Sequence, residues 1–407
     1  MKKLFILFAT VFLFSSCQKE TDSYTPAIDF KGDKKASQLI AGDNEFAFEL
    51  FKEVHNLTDE ENYMVSPLSV AIALGMTYNG ADGTTKTAFE ETLGFSGFTR
   101  HEINEIHGAL INHLLKADPK VTFEIANSIW VNKNYTLLTE FSDSNSYYYN
   151  ADINSIDFYE QGAVDIINNW ISDKTHEKIT EVLDAIPPAT VMYLINALYF
   201  YGSWQYEFDT KMSGPMNFTY DDGSTAKVDG MTTTAGLAFV NEEKFTAIEL
   251  PYGNDKFSMV IMLPRSEYNI EDVIDELSVE SWGNWTADLS ETEITLNMPK
   301  FKYEFKTLLN DHLTNMGLGV AFGGGAEFPL MVEESQDLYI SRVIHKTFID
   351  VNEEGTEAAA VTVVEMVNTS VGDGPLSVTI DRPFLYTIRE KTSGTLVFMG
   401  KVGRPGV

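Results

Sequence analysis

Cysteine is almost absent from this sequence, with Cys17 the single one among 407 residues. One thiol excludes an internal disulfide framework and any structural zinc site built from several cysteines. Basic charge is scarce as well. Against 60 acidic residues stand 29 lysines and arginines, a formal net charge of −31. A phosphate backbone would repel such a chain, which excludes a nucleic-acid partner. Catalytic signatures are missing too: there is no Gly-x-Ser-x-Gly nucleophile elbow, no phosphate loop and no dinucleotide fingerprint. His101-Glu102 and His176-Glu177 each begin a zinc-protease-like pair, but neither has a second histidine three residues beyond its glutamate. His101, His107 and His113 stand about 240° apart on a helix, so they form no ligand pair and are expected to be exposed. Gly323-Gly324-Gly325 reads as a flexible turn, with no following lysine to hold a phosphate. The sequence thus proposes no reaction, and no cofactor or metal site is expected.

What is present begins at the N-terminus. Lys2 and Lys3 precede an apolar run from Leu4 to Phe14, too short for a comfortable membrane span and suited to a secretory signal. Its end, Leu13-Phe14-Ser15-Ser16-Cys17, resembles a bacterial lipobox, in which the cysteine is lipidated and becomes the new N-terminus. Residues 1–16 are therefore expected to be a lipoprotein signal peptide. Gln18 to about Lys35 is polar and without a sustained period, so residues 17–40 are expected to form a lipidated N-terminus and flexible tether. Gln18-Lys19-Glu20-Thr21-Asp22 resembles the charged tags that carry some lipoproteins to the outer cell face. The resulting expectation is an exported protein, held by lipid on a bacterial outer membrane and facing the cell surface.

The body, 41–407, has 44% apolar and 12% aromatic residues in the whole-chain count, enough for a sizeable core. Phe46, Phe48, Leu50, Phe51 and Val54 are partly consistent with one helical face. Ser66-Pro67 signals a helix start, a serine cap followed by proline in the first turn. Val70 to Met76 continues as a nearly all-apolar and therefore buried helix. Ala163 to Thr175 presents Val164, Ile167, Trp170 and Ile171 along one side. Strand-like runs occupy 128–131, 191–200, 246–250, 257–263, 293–298, 345–351, 376–380 and 394–402. Helices first and many strands later, without regular alternation, predict an α+β fold.

Several motifs then resemble the serpin family, and they fall in that family's order from Asn44 to the C-terminus. They are Met64-Val65-Ser66-Pro67-Leu68-Ser69-Val70-Ala71, Asn168-x-Trp170-Ile171, and Leu194-Ile195-Asn196-Ala197-Leu198-Tyr199-Phe200 with Gly202 and Trp204. Leu250-Pro251-Tyr252, Ser258 to Pro264 and Met298-Pro299-Lys300-Phe301 follow. His345 to Ala360, containing Glu353-Glu354-Gly355-Thr356-Glu357-Ala358-Ala359-Ala360, is the most specific, and Asp381-Arg382-Pro383-Phe384 closes the set. Within the family, the chain resembles the bacterial lipoprotein serpins. The resemblance implies a serpin fold of three β-sheets and about nine helices, with an exposed reactive-centre loop over about 353–380. It implies a monomeric inhibitor of proteases. The target cuts the loop, and the cut loop enters the largest sheet as a new central strand.

The loop's own residues suit that expectation. Strand faces alternate, so Thr356, Ala358, Ala360, Thr362, Val364 and Met366 would face inward, small at first and then apolar. No proline interrupts 356–370, which leaves every backbone N–H available to a central strand. Roughly fourteen residues at ~3.3 Å each span about 45 Å. Counting from Glu353 places the reactive bond at Thr369-Ser370. Counting back from Pro383 gives a different bond, and Met366, Val367 and Asn368 are the fallback positions. A small β-branched residue at the cut suits elastase-like or subtilisin-like serine proteases, and papain-like cysteine proteases are further candidates. By position in the family, Ser66, Ser69, Asn196 and His345 match a polar cluster beneath the point where the sheet opens. Trp204 matches the site of loop entry, and Glu353 with Lys300 matches a hinge ion pair. The alternative within the same fold is a non-inhibitory binding or carrier protein.

Overall fold

The computed structural model describes residues 28–334, 338–356 and 375–406. Helix α1 (Lys34–Leu57) begins where the Asp33 carboxylate accepts the amides of Lys35 and Ala36. That cap satisfies donors that have no partner inside the helix. The expected tether through residue 40 is therefore too long: Ala36, Leu39 and Ile40 are already buried on α1. The Ala, Ser and Gly residues among them hide the period that becomes plain from Phe46.

Strand β1 (Asn62–Val65) leads into α2 (Pro67–Tyr78), where Ser66 accepts the Ser69 amide and Pro67 fills the first turn. All but one residue of α2 are buried, as its unbroken apolar composition demands. Helices α3 (Gly83–Thr92) and α4 (Arg100–Leu114) follow, α4 opened by a reciprocal cap between Thr99 and Glu102. Then come β2 (Val121–Asn132), α5 (Thr139–Tyr149), β3 (Asp152–Ile156), α6 (Ala163–Lys174) and β4 (Met192–Ser203). The middle of the chain supplies β5 (Gly214–Thr219), β6 (Thr225–Asn241), β7 (Phe245–Pro251), β8 (Phe257–Pro264), α7 (Ile270–Ile274) and α8 (Val279–Asp288). Next are β9 (Ser290–Pro299), β10 (Phe301–Leu308), α9 (Asn310–Asn315), β11 (Ile344–Val351) and β12 (Gly355–Thr356). The chain closes with β13 (Leu376–Thr379), β14 (Phe384–Glu390) and β15 (Leu396–Val402).

The α+β expectation holds, with nine α-helices among the described residues. The three expected sheets occur as two hydrogen-bonded networks, because one long strand belongs to two of them. β6 pairs with β5 and β9 along its length and with β7 near its end, which joins them into one nine-stranded network. The other sheet has six strands in the order β10-β11-β12-β4-β2-β3. One large apolar core takes side chains from both networks and from α1 and α2, and a smaller one lies under α6 around Trp130, Ile167 and Ile171. Of the α4 histidines, His101 is exposed as expected, and the other two differ. His107 is buried against Asp43, and His113 is half-covered against Glu390. Period alone places residues on a helix but cannot say what packs on each face.

Candidate functional site

Strand β11 ends at Val351, and the chain reverses through Asn352, Glu353 and Glu354. β12 then runs antiparallel between β11 and β4, pairing Thr356 with Val351 and Gly202, and Gly355 with Ser203. The turn closes on itself: the Asn352 amide donates to the Gly355 carbonyl at 3.0 Å, and the Glu354 amide to Asn352 Oδ1 at 3.0 Å. Its three carbonyls all find donors on the segment after β4. Trp204 Nε1 donates to Asn352 O, the Trp204 amide to Glu354 O, and the Phe208 amide to Glu353 O, each at 2.9 Å. A reversal inside a sheet needs such pairing, since an orphan carbonyl there would cost about 1–3 kcal/mol.

Two residues decide how closely β12 approaches β4. A Cβ on Gly355 would strike the Gly202 carbonyl and lie 2.7 Å from Ser203 Cα, so any side chain would push the strands apart. Thr356 is buried, and its hydroxyl lies 2.7 Å from the Tyr252 hydroxyl. Tyr252 is fully enclosed, stacked on Trp204 at 4.4 Å and edge-on to Phe200 at 5.0 Å. Burial pushes its phenol well above the usual range, so it stays neutral and keeps its proton for hydrogen bonding. Lys300 Nζ reaches Glu353 Oε1 at 3.2 Å. Partial burial opposes ionisation of Glu353, but its own amide, Ser213 and Lys300 outweigh it and hold the carboxyl below the usual range.

Beyond Thr356, β4 and β11 share no ladder among the described residues. Both strands line a cavity of about 330 Å³. Ser66, Ser69, Asn196 and His345 line it together. His345 Nε2 accepts the Ser66 amide at 3.0 Å, and Ser66 Oγ donates to the Val397 carbonyl at 2.9 Å. The Ser69 amide donates to Ser66 Oγ at 3.3 Å. With Nε2 as an acceptor, His345 must be neutral, in keeping with burial that pushes its pKa down to about 4. Asn196 is held differently. Its Nδ2 donates to Oδ1 of Asn127, its ladder partner on β2, at 2.7 Å. Asn196 Oδ1 is buried and has no hydrogen-bond partner among the described residues.

The structure thus gathers Glu353, Glu354, Gly355, Thr356, Trp204 and Lys300 at the hinge, and Ser66, Ser69, Asn196 and His345 around the cavity. Cys17, Glu357, Ala358, Ala359, Ala360, Met366, Val367, Asn368, Thr369 and Ser370 lie outside the described residues. Sequence reasoning missed Asn127 and Phe208, and gave Asn352 and Tyr252 no role although they stand in the His345–Ala360 and Leu250-Pro251-Tyr252 motifs. Asn127 and Phe208 carried no signal.

Comparison with known proteins places this geometry. A family model described as Serpin (serine protease inhibitor) matches residues 41–405. The leukocyte elastase inhibitor of Sus scrofa is 32% identical, over 90% of this chain and 100% of its own. The native state of the thermophilic serpin tengpin aligns with a TM-score of 0.84 and 32% identity, covering 93% of this chain and 96% of its own. Thyroxine-binding globulin in complex with thyroxine aligns with a TM-score of 0.81 and 26% identity, covering 90% of this chain and 99% of its own.

Proposed function

This chain belongs to the serpin family, and we propose that it is a suicide-type inhibitor that traps proteases by inserting its cut loop between β4 and β11. The protease nucleophile attacks the carbonyl of the residue at the cut, the peptide bond breaks, and the new amine leaves. The ester to the protease survives if the loop enters the sheet, and carries the enzyme away, before water can hydrolyse it.

The observation that carries this reading is the register of β12. Gly355 and Thr356 pair at the head of the cavity that β4 and β11 line. Because both ladders are antiparallel, continuing them would bring Ala358 opposite Phe200 and Ile349, and Ala360 opposite Leu198 and Thr347. Thr362 would come opposite Asn196 and His345. Small residues would thus meet large buried ones, and a hydroxyl would reach the level of the unpaired Asn196 acceptor. A buried acceptor left unpaired costs about 1–3 kcal/mol, so that match favours insertion.

A cut at Thr369-Ser370 fits shallow elastase-like or subtilisin-like sites, and the name of the Sus scrofa relative is in line with the first. Papain-like cysteine proteases fit the same small residue. Lipid on Cys17 would hold the inhibitor at the bacterial outer membrane, facing outward, where it would meet external proteases. The likeness to thyroxine-binding globulin keeps a carrier as the second reading. The test mixes the protein, freed of signal and lipid, with an elastase-like protease and runs boiled samples on a denaturing gel. A protease-containing band near the summed mass, with sequencing that places the cut after Thr369, is expected. Clean cleavage without that band across serine and cysteine proteases would favour the carrier.

A further inference from the structure

A line of polar side chains runs through the helical part of the molecule, away from the hinge. Asp43 of α1 and His107 of α4 pair at 3.2 Å with their side chains 5% and 1% exposed. His107 Nδ1 stands 3.3 Å from the hydroxyl of Tyr149, the last residue of α5. That hydroxyl donates to Asn104 Oδ1 at 3.0 Å, and Asn104 Nδ2 donates to Asn79 Oδ1 at 2.9 Å. Asn79 Nδ2 donates to Asn145 Oδ1 at 3.0 Å, and Asn145 Nδ2 ends the line on the Phe141 carbonyl at 3.0 Å. A hydroxyl has one proton, and Tyr149 commits it to Asn104, so His107 Nδ1–H must be the donor toward Tyr149. From His107 to the Phe141 carbonyl every bond in the line then runs the same way. Turning any one amide over would set donor against donor or acceptor against acceptor.

Tyr149 has a second arm. Asn150, after it, takes the left-handed conformation at φ 52° that ends α5, and a carbonyl in the last helical turn has no partner inside the helix. The Tyr149 carbonyl accepts Asn127 Nδ2 at 2.7 Å, and Asn127 Oδ1 accepts Asn196 Nδ2 at 2.7 Å. Asn196 spends its amide in this way, and its other oxygen-bearing face is the unpaired acceptor at the cavity. The end of α5 therefore joins two systems: its ring is held from α1 and α4, and its carbonyl holds the wall of the cavity.

We propose that Tyr149 is a positioning residue for loop insertion, pinned at its hydroxyl by the Asp43–His107 pair and orienting Asn127 and Asn196 through its carbonyl. This rests on the inhibitory reading above. Loosening either arm lets Asn196 turn, which slows entry of the strand relative to hydrolysis of the acyl-enzyme. More inhibitor is then consumed as substrate for each protease trapped.

The experiment compares the wild-type chain with Tyr149→Phe, Asn127→Ala and a control, Phe95→Leu. Phe95 packs edge-on to His107 at 5.7 Å but lends no polar atom to the line. Tyr149→Phe and Asn127→Ala are each expected to raise the inhibitor consumed per protease trapped about threefold or more. The rate of first cleavage should stay unchanged. Hydrogen exchange at Ile195–Leu198 should quicken about tenfold. Phe95→Leu should lower the melting temperature without moving either readout. Unchanged consumption and exchange in both polar variants overturns the proposal, as does a Phe95→Leu shift of the same size. If the wild type traps no protease, the inhibitory reading fails, while the exchange measurement still decides whether Tyr149 orders β4.

Discussion

The hinge and the cavity beyond it serve one proposed movement but are made of opposite materials. The hinge is local: Asn352 to Thr356 are consecutive, and their partners come mainly from one other stretch, Gly202 to Phe208. The cavity wall is gathered from across the chain, with Ser66 capping α2, Ser69 on α2, Asn196 on β4 and His345 on β11, and Asn127 on β2 holding Asn196 from behind. The hinge works through backbone pairing and close approach. The cavity works through side-chain hydrogen bonds between distant segments, with the Asn196 acceptor left unpaired among the described residues. Blocking the close approach of β12 at the hinge should therefore abolish trapping outright, whereas removing other contacts of the hinge or the cavity should change stability and the balance of outcomes.

The largest effect should come from Thr356→Arg. A cation cannot enter the space beside Tyr252 and Phe200 without a large desolvation cost. The variant should be cleaved at the normal rate yet give no high-mass band on a denaturing gel, and an undiminished band would contradict the insertion reading. Trp204→Ala removes the Nε1 bond to Asn352 and the stack on Tyr252. It should cost about 3–5 kcal/mol in denaturant unfolding, and a loss below 1 kcal/mol would show that the hinge holds without it.

His345 sharpens the comparison from the cavity side. Its pKa is lower in the folded state, about 4 against 6.5, so only the unfolded chain takes up a proton as pH first falls. Its contribution is complete above pH 6.5 and is lost progressively down to pH 4, by about 3 kcal/mol in all. Unfolding measured across that window should show this slope, and His345→Gln should flatten it. The smallest effect belongs to Lys300→Met. The ammonium is about one-third exposed, so the pair with Glu353 is worth at most about 1 kcal/mol. That difference should shrink in high salt, and a larger or salt-independent loss would mark Lys300 as part of the hinge's packing.

Legibility follows the same division. Gly355 and Thr356 could be singled out because consecutive residues make a motif, and the period-two pattern after them needs no knowledge of the rest of the chain. Ser66 was legible as a cap for a related reason: serine followed by proline acts within one turn. Asn127 and Tyr149 carried no such mark. Each is one polar residue in an ordinary strand or helix, and its role exists only once β2, α5 and β4 are side by side. His107 shows the point from the other direction, since an isolated helix gives no reason to bury a histidine until Asp43 arrives from α1.

By itself, the sequence determined the α+β class, the order of most helices and strands, the family and the hinge. These depend on periodicity, capping and short motifs, which act over a few residues. Tertiary structure decided that β12 lies between β4 and β11, and that one long strand, β6, fuses two expected sheets into one network. It also decided which polar side chains are buried together. Those outcomes rest on contacts between distant segments, and the free energy of a buried hydrogen bond belongs to the pair and appears in neither segment alone.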